Sequence, residues 1–149
     1  MKSARRIESA EVEALATRAR RFVETFAWCE RVTNCDLGFA IAGVLGVFHI
    51  ELIPTPERGA EPTVWVVVGD VPPAYLAFEE GDTWQDALRG YVEEMQQWVD
   101  AVRARESLDE VIPVNVSPTR EHADMLASRL QFIRERLVSV DAASLDSDV

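Results

Sequence analysis

The chain has 149 residues, of which 48% are hydrophobic and 28% charged. This composition is ordinary for a globular domain and excludes wholesale disorder. A net charge of -11 opposes contacts with nucleic-acid phosphates, and no uncharged run reaches the roughly 20 residues of a membrane helix. We predict one globular domain, residues 1–138, followed by a flexible acidic tail, residues 139–149, with neither nucleic acid nor membrane as partner.

Two features of the sequence predict a cytoplasmic protein. Acidic residues occupy positions 8 and 11, where a signal peptide would have its apolar stretch. The two cysteines, Cys29 and Cys35, are too few for a disulfide framework and lack the spacing of metal or redox motifs. We therefore expect both to be buried or idle thiols.

The first predicted element is a long N-terminal helix. Ser9 is a plausible N-cap, and the apolar residues that follow recur at helical spacing as far as about Val32. Residues 34–38 are predicted to form a loop. The expected buried face consists of Val12, Leu15, Ala16, Ala19, Phe22, Val23 and Phe26.

A small antiparallel sheet is predicted next. Residues 42–54 alternate as a strand, with Val44, Phe48, Ile50 and Leu52 on its core face. Residues 64–68 are apolar on both faces, which is typical of a central strand, and a turn-rich segment joins the two strands as a hairpin. Residues 74–78 are expected to add a short third strand.

Two amphipathic helices follow in the prediction. Asp82 or Thr83 is expected to cap the first, with Asp86 in a capping-box position. Residues 111–116 suggest a last strand, and Ser117 followed by Pro118 suggests the start of the last helix. The fold class is therefore α+β: a long N-terminal helix, a central antiparallel hairpin or small sheet, and two further amphipathic helices packed on it. The apolar faces of the two helices are Trp84, Ala87, Leu88, Tyr91, Val92, Met95, Trp98, Val99 and Val102, then Leu126, Leu130, Ile133 and Leu137.

Motifs of common enzymes are absent from the sequence, so we expect no catalytic residue and no cofactor. Neither G-x-S-x-G nor a glycine-rich phosphate loop occurs. His49 and Glu51 form an H-x-E pair on one strand face, but a zinc or iron site needs at least a third ligand. We interpret the pair as surface polar groups and expect no metal.

A corner at the exit of the apolar strand is a candidate ligand site. Trp65 and Tyr75 could provide a stacking wall with Asp70 as polar anchor, and His49 and Glu51 could contribute polar groups. The competing interpretation, which we favour, is that residues 69–73 form only a rigid turn.

An acidic stripe on the second helix is the candidate partner site. Asp86, Glu93 and Asp100 recur at seven-residue intervals, with Gln97 between the last two. Such a stripe is usually the solvated side of an amphipathic helix. It could instead dock a basic protein, since acidic charge speeds association with a cationic surface.

Three stretches carry a resemblance to known proteins. They are the run Val64-Trp65-Val66-Val67-Val68-Gly69-Asp70-Val71-Pro72, the helix with Trp98, and the segment Met125-Leu126-Ala127-Ser128-Arg129. Residues 63–137 resemble a family of small bacterial proteins of unknown function with a W-V-V-x-G-D-x-P core. The resemblance implies a small bacterial cytosolic α+β protein and supplies no catalytic residues.

Three functions remain open from the sequence. The first is a non-enzymatic protein-binding domain of the immunity or antitoxin kind, whose acidic surface neutralises a basic partner. The second is a small-molecule-binding or enzymatic domain that uses the corner of Trp65, Asp70 and Tyr75. The third is an accessory subunit that forms a homodimer.

Overall fold

The computed structural model describes residues 2–56, 62–77 and 83–147, and within them the side chains of residues 10–137. Three helices and a four-stranded antiparallel sheet make up this part of the chain, which confirms the α+β class. The chain divides into two compact units, Met1–Leu88 and Arg89–Val149. A single globular domain stays a prediction.

The sheet of the first unit is a meander in which each strand pairs with the next along the chain. Its strands are β1 (Cys29–Ile41), β2 (Leu45–Pro54), β3 (Thr63–Gly69) and β4 (Ala74–Ala77), in the order β1-β2-β3-β4. The hairpin of β2 and β3 and the short strand β4 were predicted and are confirmed. The apolar strand β3 is central, as its two apolar faces indicated.

Strand β1 corrects two of the predictions. Helix α1 (Lys2–Glu24) begins before Ser9 and ends eight residues before Val32, and the predicted loop at residues 34–38 lies within β1. Three register shifts interrupt the pairing of β1 with β2. Because each extra residue of a bulge moves the following side chains to the other face, the alternation that marks a strand is hidden in the sequence.

Helix α1 packs on one face of the sheet through the apolar side chains predicted for it. Ala19 and Val23 are fully buried, with Val12, Leu15, Ala16 and Phe22 packed around them. They meet alternate side chains of the two central strands, so that the predicted core face of β2 is confirmed from Phe48 onward. Val44 lies in the turn before the strand. The strand residues of this cluster are Phe48, Ile50, Leu52, Val64, Val66 and Val68.

The opposite face of the sheet receives the first turn of helix α2 (Trp84–Ala104). The Trp84 ring stacks on Phe39 of β1 with centroids 4.0 Å apart and planes 5° from parallel. Gly38 makes this approach possible, because a Cβ there would lie 2.9 Å from the Cβ of Trp84 and 3.0 Å from the Trp65 ring.

The second unit is an antiparallel pair of helices, α2 from Arg89 onward and α3 (Arg120–Ser147). Arg103 forms an ion pair with Asp124 at 2.8 Å, and Arg134 near the other end donates a hydrogen bond to Gln96 at 2.7 Å. Most of the apolar side chains predicted for these helices are buried. In this unit they are Tyr91, Val92, Met95, Trp98, Val99, Leu126, Leu130, Ile133 and Leu137.

The helix starts agree with the sequence in one case and differ in the other. Thr83 and Asp86 form the predicted capping box at α2, whereas Asp82 lies outside the described residues. Thr119 caps α3 in place of Ser117, because its hydroxyl accepts the backbone N–H of His122. The predicted strand at residues 111–116 is wrong, since the segment contains only bends and irregular backbone.

Helix α3 continues to Ser147, through most of the predicted tail. Side chains beyond Leu137 are outside the described part, so the flexibility of residues 139–149 stays a prediction. Among the residues described, no helix is both long and apolar enough to cross a membrane.

Candidate functional site

An open groove of about 630 Å³ lies in the second unit between α2 and α3. Its volume falls within the range of about 300 to 1,000 Å³ that is usual for binding clefts. The groove residues that belong to α2 recur three, four or seven positions apart in the sequence, so they lie on one side of that helix. The side chains that line the groove are Arg89, Val92, Glu93, Gln96, Gln97, Asp100, Arg134 and Leu137. We call this feature the α2–α3 groove.

A chain of hydrogen bonds fixes one wall of the α2–α3 groove. The guanidinium of Arg134 donates to Oε1 of Gln96 at 2.7 Å, and Nε2 of Gln96 donates to Oδ1 of Asp100 at 2.9 Å. Since both bonds orient the Gln96 amide, the Asp100 carboxylate is held in a defined position at the wall. Val92 and Leu137 supply an apolar floor between these polar groups.

Charged side chains of both signs line the groove. Glu93 and Asp100 are exposed acids and Arg89 is an exposed base, while Arg134 is only partly exposed and donates to Gln96. Burial, and then the charge of Glu93, raises the pKa of the neighbouring Glu94 carboxyl.

The structure brings together three of the four residues in the predicted acidic stripe. Glu93, Gln97 and Asp100 line the α2–α3 groove. Asp86 does not line the groove. Its carboxylate instead accepts hydrogen bonds from the backbone N–H and the hydroxyl of Thr83. Asp86 therefore caps the helix.

Sequence reasoning missed the contribution of α3 to this site. Arg134 and Leu137 are three residues apart and so share one side of α3, which is a detectable signal. Their pairing with Gln96 and Val92 depends on the register between two antiparallel helices joined by a long connection. No local pattern encodes that register.

The predicted corner of Trp65, Asp70 and Tyr75 is not assembled. Trp65 pairs with Leu76, and Tyr75 pairs with Val66, so Trp65 and Tyr75 project from opposite faces of the sheet. Trp65 is buried, whereas Tyr75 is 40% exposed. One ligand therefore cannot be sandwiched between the two rings.

Tyr75 belongs instead to an aromatic cluster that the sequence did not suggest. Its ring makes edge contacts with Phe26 at 4.9 Å and Trp28 at 5.0 Å, and those two rings stack at 5.1 Å. Thr55 fixes the segment that carries them, because it bonds to the carbonyl oxygens of Ala27 and Trp28. At these separations the rings fill the space between them, as in a small apolar core.

Asp70 lies in a tight turn, in agreement with the favoured interpretation. Its backbone N–H donates to the carbonyl of Val44 at 2.7 Å, and Arg18 donates to the carbonyl of Gly69 at 3.0 Å. Together the two bonds hold the end of β3 against the turn before β2 and against α1. The segment therefore has a structural role, which does not depend on any other role of the Asp70 side chain.

His49 and Glu51 share a face of β2, as predicted, and Trp65 lies on the same face. The rings of His49 and Trp65 are 5.2 Å apart. His49 is half-buried and Glu51 exposed. Within the described ranges no group of three or more His, Cys, Asp and Glu residues is arranged to hold a metal ion.

No protein-family model, curated protein or solved structure matches this chain. The resemblance of residues 63–137 to a family of small bacterial proteins therefore stays a prediction.

Proposed function

We propose that this protein is a non-enzymatic protein-binding domain, and that the α2–α3 groove holds a basic segment of its partner. The observation that carries the proposal is the convergence of Glu93, Gln97 and Asp100, three residues of the predicted acidic stripe, on one groove. Their position beside the buried Val92 and Leu137 would let one occupant contact polar and apolar side chains together.

The chemistry of the groove supports a peptide-like occupant with both charged and apolar side chains. The carboxylates of Glu93 and Asp100 suit arginine or lysine, and the amide of Gln97 suits a peptide backbone. Val92 and Leu137 offer apolar contact between them. A net charge of -11 adds long-range attraction for a cationic protein.

Among binding proteins, we favour an inhibitor of the immunity or antitoxin kind in the bacterial cytoplasm. Such inhibitors need no chemistry of their own, only a surface complementary to the protein they neutralise. The free thiols of Cys29 and Cys35 suit a reducing compartment. Burial is the leading cause that raises the pKa of each thiol, which lowers its reactivity.

A photocrosslinking amino acid at Gln97 tests the proposal in cells that produce the natural partner. Gln97 is exposed and borders the groove, so we expect it to crosslink one defined protein of basic isoelectric point. The matched control carries the same group at Glu13, an exposed position on α1. The crosslinked protein is then purified and its binding to the unmodified chain is measured.

The outcome that supports the proposal is selective capture from position 97, followed by direct binding that weakens as salt increases. Equal capture from positions 13 and 97 would contradict it. So would a captured protein whose affinity is the same for the wild type and for the Glu93→Lys, Asp100→Lys double variant.

A further inference from the structure

Helix α3 carries a stripe of two exposed apolar side chains and two arginines, and none of the four lines the groove. Met125 is 48% and Phe132 is 42% exposed, although most apolar residues of the helix are buried. Arg129 lies between them and Arg136 follows one turn later. We call these four residues the outer stripe of α3. The chain has a net charge of -11, so the two arginines give this stripe a charge opposite to that of the chain as a whole.

The outer stripe matches the α2–α3 groove in spacing, and its two arginines are opposite in charge to two of the four charged side chains that line the groove. Arg89 and Arg134 are the other two. Arg129 and Arg136 are seven residues apart, and so are Glu93 and Asp100. In both helices this spacing is about 10 Å along the axis. The outer stripe runs from Met125 to Arg136, and the α2 wall of the groove runs from Arg89 to Asp100, so each has a length of about 16 Å.

We propose that the outer stripe of α3 in one copy docks into the α2–α3 groove of a second copy. Arg129 and Arg136 face the carboxylates of Glu93 and Asp100 across the contact. Met125 and Phe132 cover the apolar floor. This is the helix-in-groove form of recognition, in which side chains on one side of the inserted helix contact the groove.

The contact joins two different surfaces of the same chain. Phe132 and Met125 precede Arg134 by two and nine residues. At about 100° per residue they point about 200° and 180° away from it around the helix axis, so the outer stripe lies on the opposite side of α3 from the groove. One copy can therefore fill a neighbour's groove while its own groove accepts a third copy. Such a head-to-tail contact produces a series of oligomers or a closed ring.

Two single-surface variants test the proposal by complementation. The stripe variant carries Met125→Gln and Phe132→Gln, and the groove variant carries Glu93→Lys and Asp100→Lys. All four side chains are exposed or border the open groove, so both variants should fold, which circular dichroism checks. Leu37→Gln is the matched control, because Leu37 is 46% exposed but lies on β1. Sedimentation velocity at low salt gives the masses.

We expect the wild type and the Leu37→Gln control to gain mass with concentration and to lose it at high salt. Each single-surface variant alone should remain monomeric. A mixture of the two should form a one-to-one dimer and nothing larger, because one copy supplies an intact stripe and the other an intact groove. The proposal is overturned if the wild type is monomeric throughout, if the groove variant associates alone, or if the mixture fails to dimerise.

The inference rests on the proposed use of the groove for a basic segment, but it can fail separately. A wild-type monomer that still binds its crosslinked partner through Glu93 and Asp100 would remove self-docking and leave the proposed function. Self-docking without a partner captured from position 97 would remove the proposed function and leave a homotypic contact.

Discussion

Gly69 is the residue on which the turn after the central strand depends. Its φ of +142° belongs to a region that only glycine adopts readily. A Cβ there would lie 2.6 Å from the Cα of Leu45 and closer still to the carbonyl oxygen of Val44. The neighbouring Asp70 N–H donates to that same carbonyl, so the backbone has little room to adjust.

We therefore expect Gly69→Ala to lower the free energy of unfolding by about 3 kcal/mol, because strained φ and backbone overlap add. Gly43→Ala is the control. Gly43 also has a positive φ, +73°, but nothing lies within 4 Å of its added Cβ, and the expected loss is about 1 kcal/mol. Urea denaturation of both variants gives the comparison, and equal losses would refute the role of the close contact.

At the scale of the secondary-structure element, the capping box of α2 determines what Asp86 does. The hydroxyl of Thr83 accepts the N–H of Asp86 at 3.3 Å, and the Asp86 carboxylate accepts the N–H of Thr83 at 3.2 Å. These bonds satisfy backbone donors that a helix start leaves without intrahelical acceptors.

We expect Thr83→Ala to cost about 1 kcal/mol of folding stability, since the side-chain cap is lost. Thr83→Ser keeps the hydroxyl and should retain most of the stability. The melting temperatures of the two variants, followed by circular dichroism, provide the measurement. A serine variant as unstable as the alanine variant would show that the threonine methyl, rather than the cap, is what matters.

Some of the helices and strands could be predicted from the sequence and others could not. Strand β3 was predictable from its continuous apolar run, and the apolar faces of the three helices were predictable from their regular helical spacing. Strand β1 was not, since its register shifts at Cys29, Val32 and Leu37 each reverse the alternation. The short strand β4 follows the pair Pro72-Pro73, which marks the turn before it.

At the scale of the whole molecule, the sequence predicted the residues that α2 contributes to the candidate site but not those that α3 contributes. The seven-residue spacing of Glu93 and Asp100 predicted that they share one side of the helix. Asp86 has the same spacing, but it caps the helix and does not line the groove. Arg134 and Leu137 enter the site only through the pairing of α2 with α3. The predicted corner failed for a related reason, because the register of β3 with β4 places Trp65 and Tyr75 on opposite faces.

Net charge and local placement of charge make different predictions for binding, and the chain allows them to be separated. Glu93 and Asp100 border the groove, whereas Asp109 and Glu110 are exposed acids in the connection between α2 and α3. The variant Glu93→Gln with Asp100→Asn and the variant Asp109→Asn with Glu110→Gln change the net charge equally. Only the first alters the surface assigned to the partner.

The most direct measurement is the association rate constant of the captured partner with these two variants and the wild type, by stopped-flow fluorescence at low salt. We expect about a tenfold slower association for the groove variant and a change well below that for the control, because steering charges act most strongly where the partner docks. Equal rates for the two variants would contradict the assignment of the α2–α3 groove as the binding site.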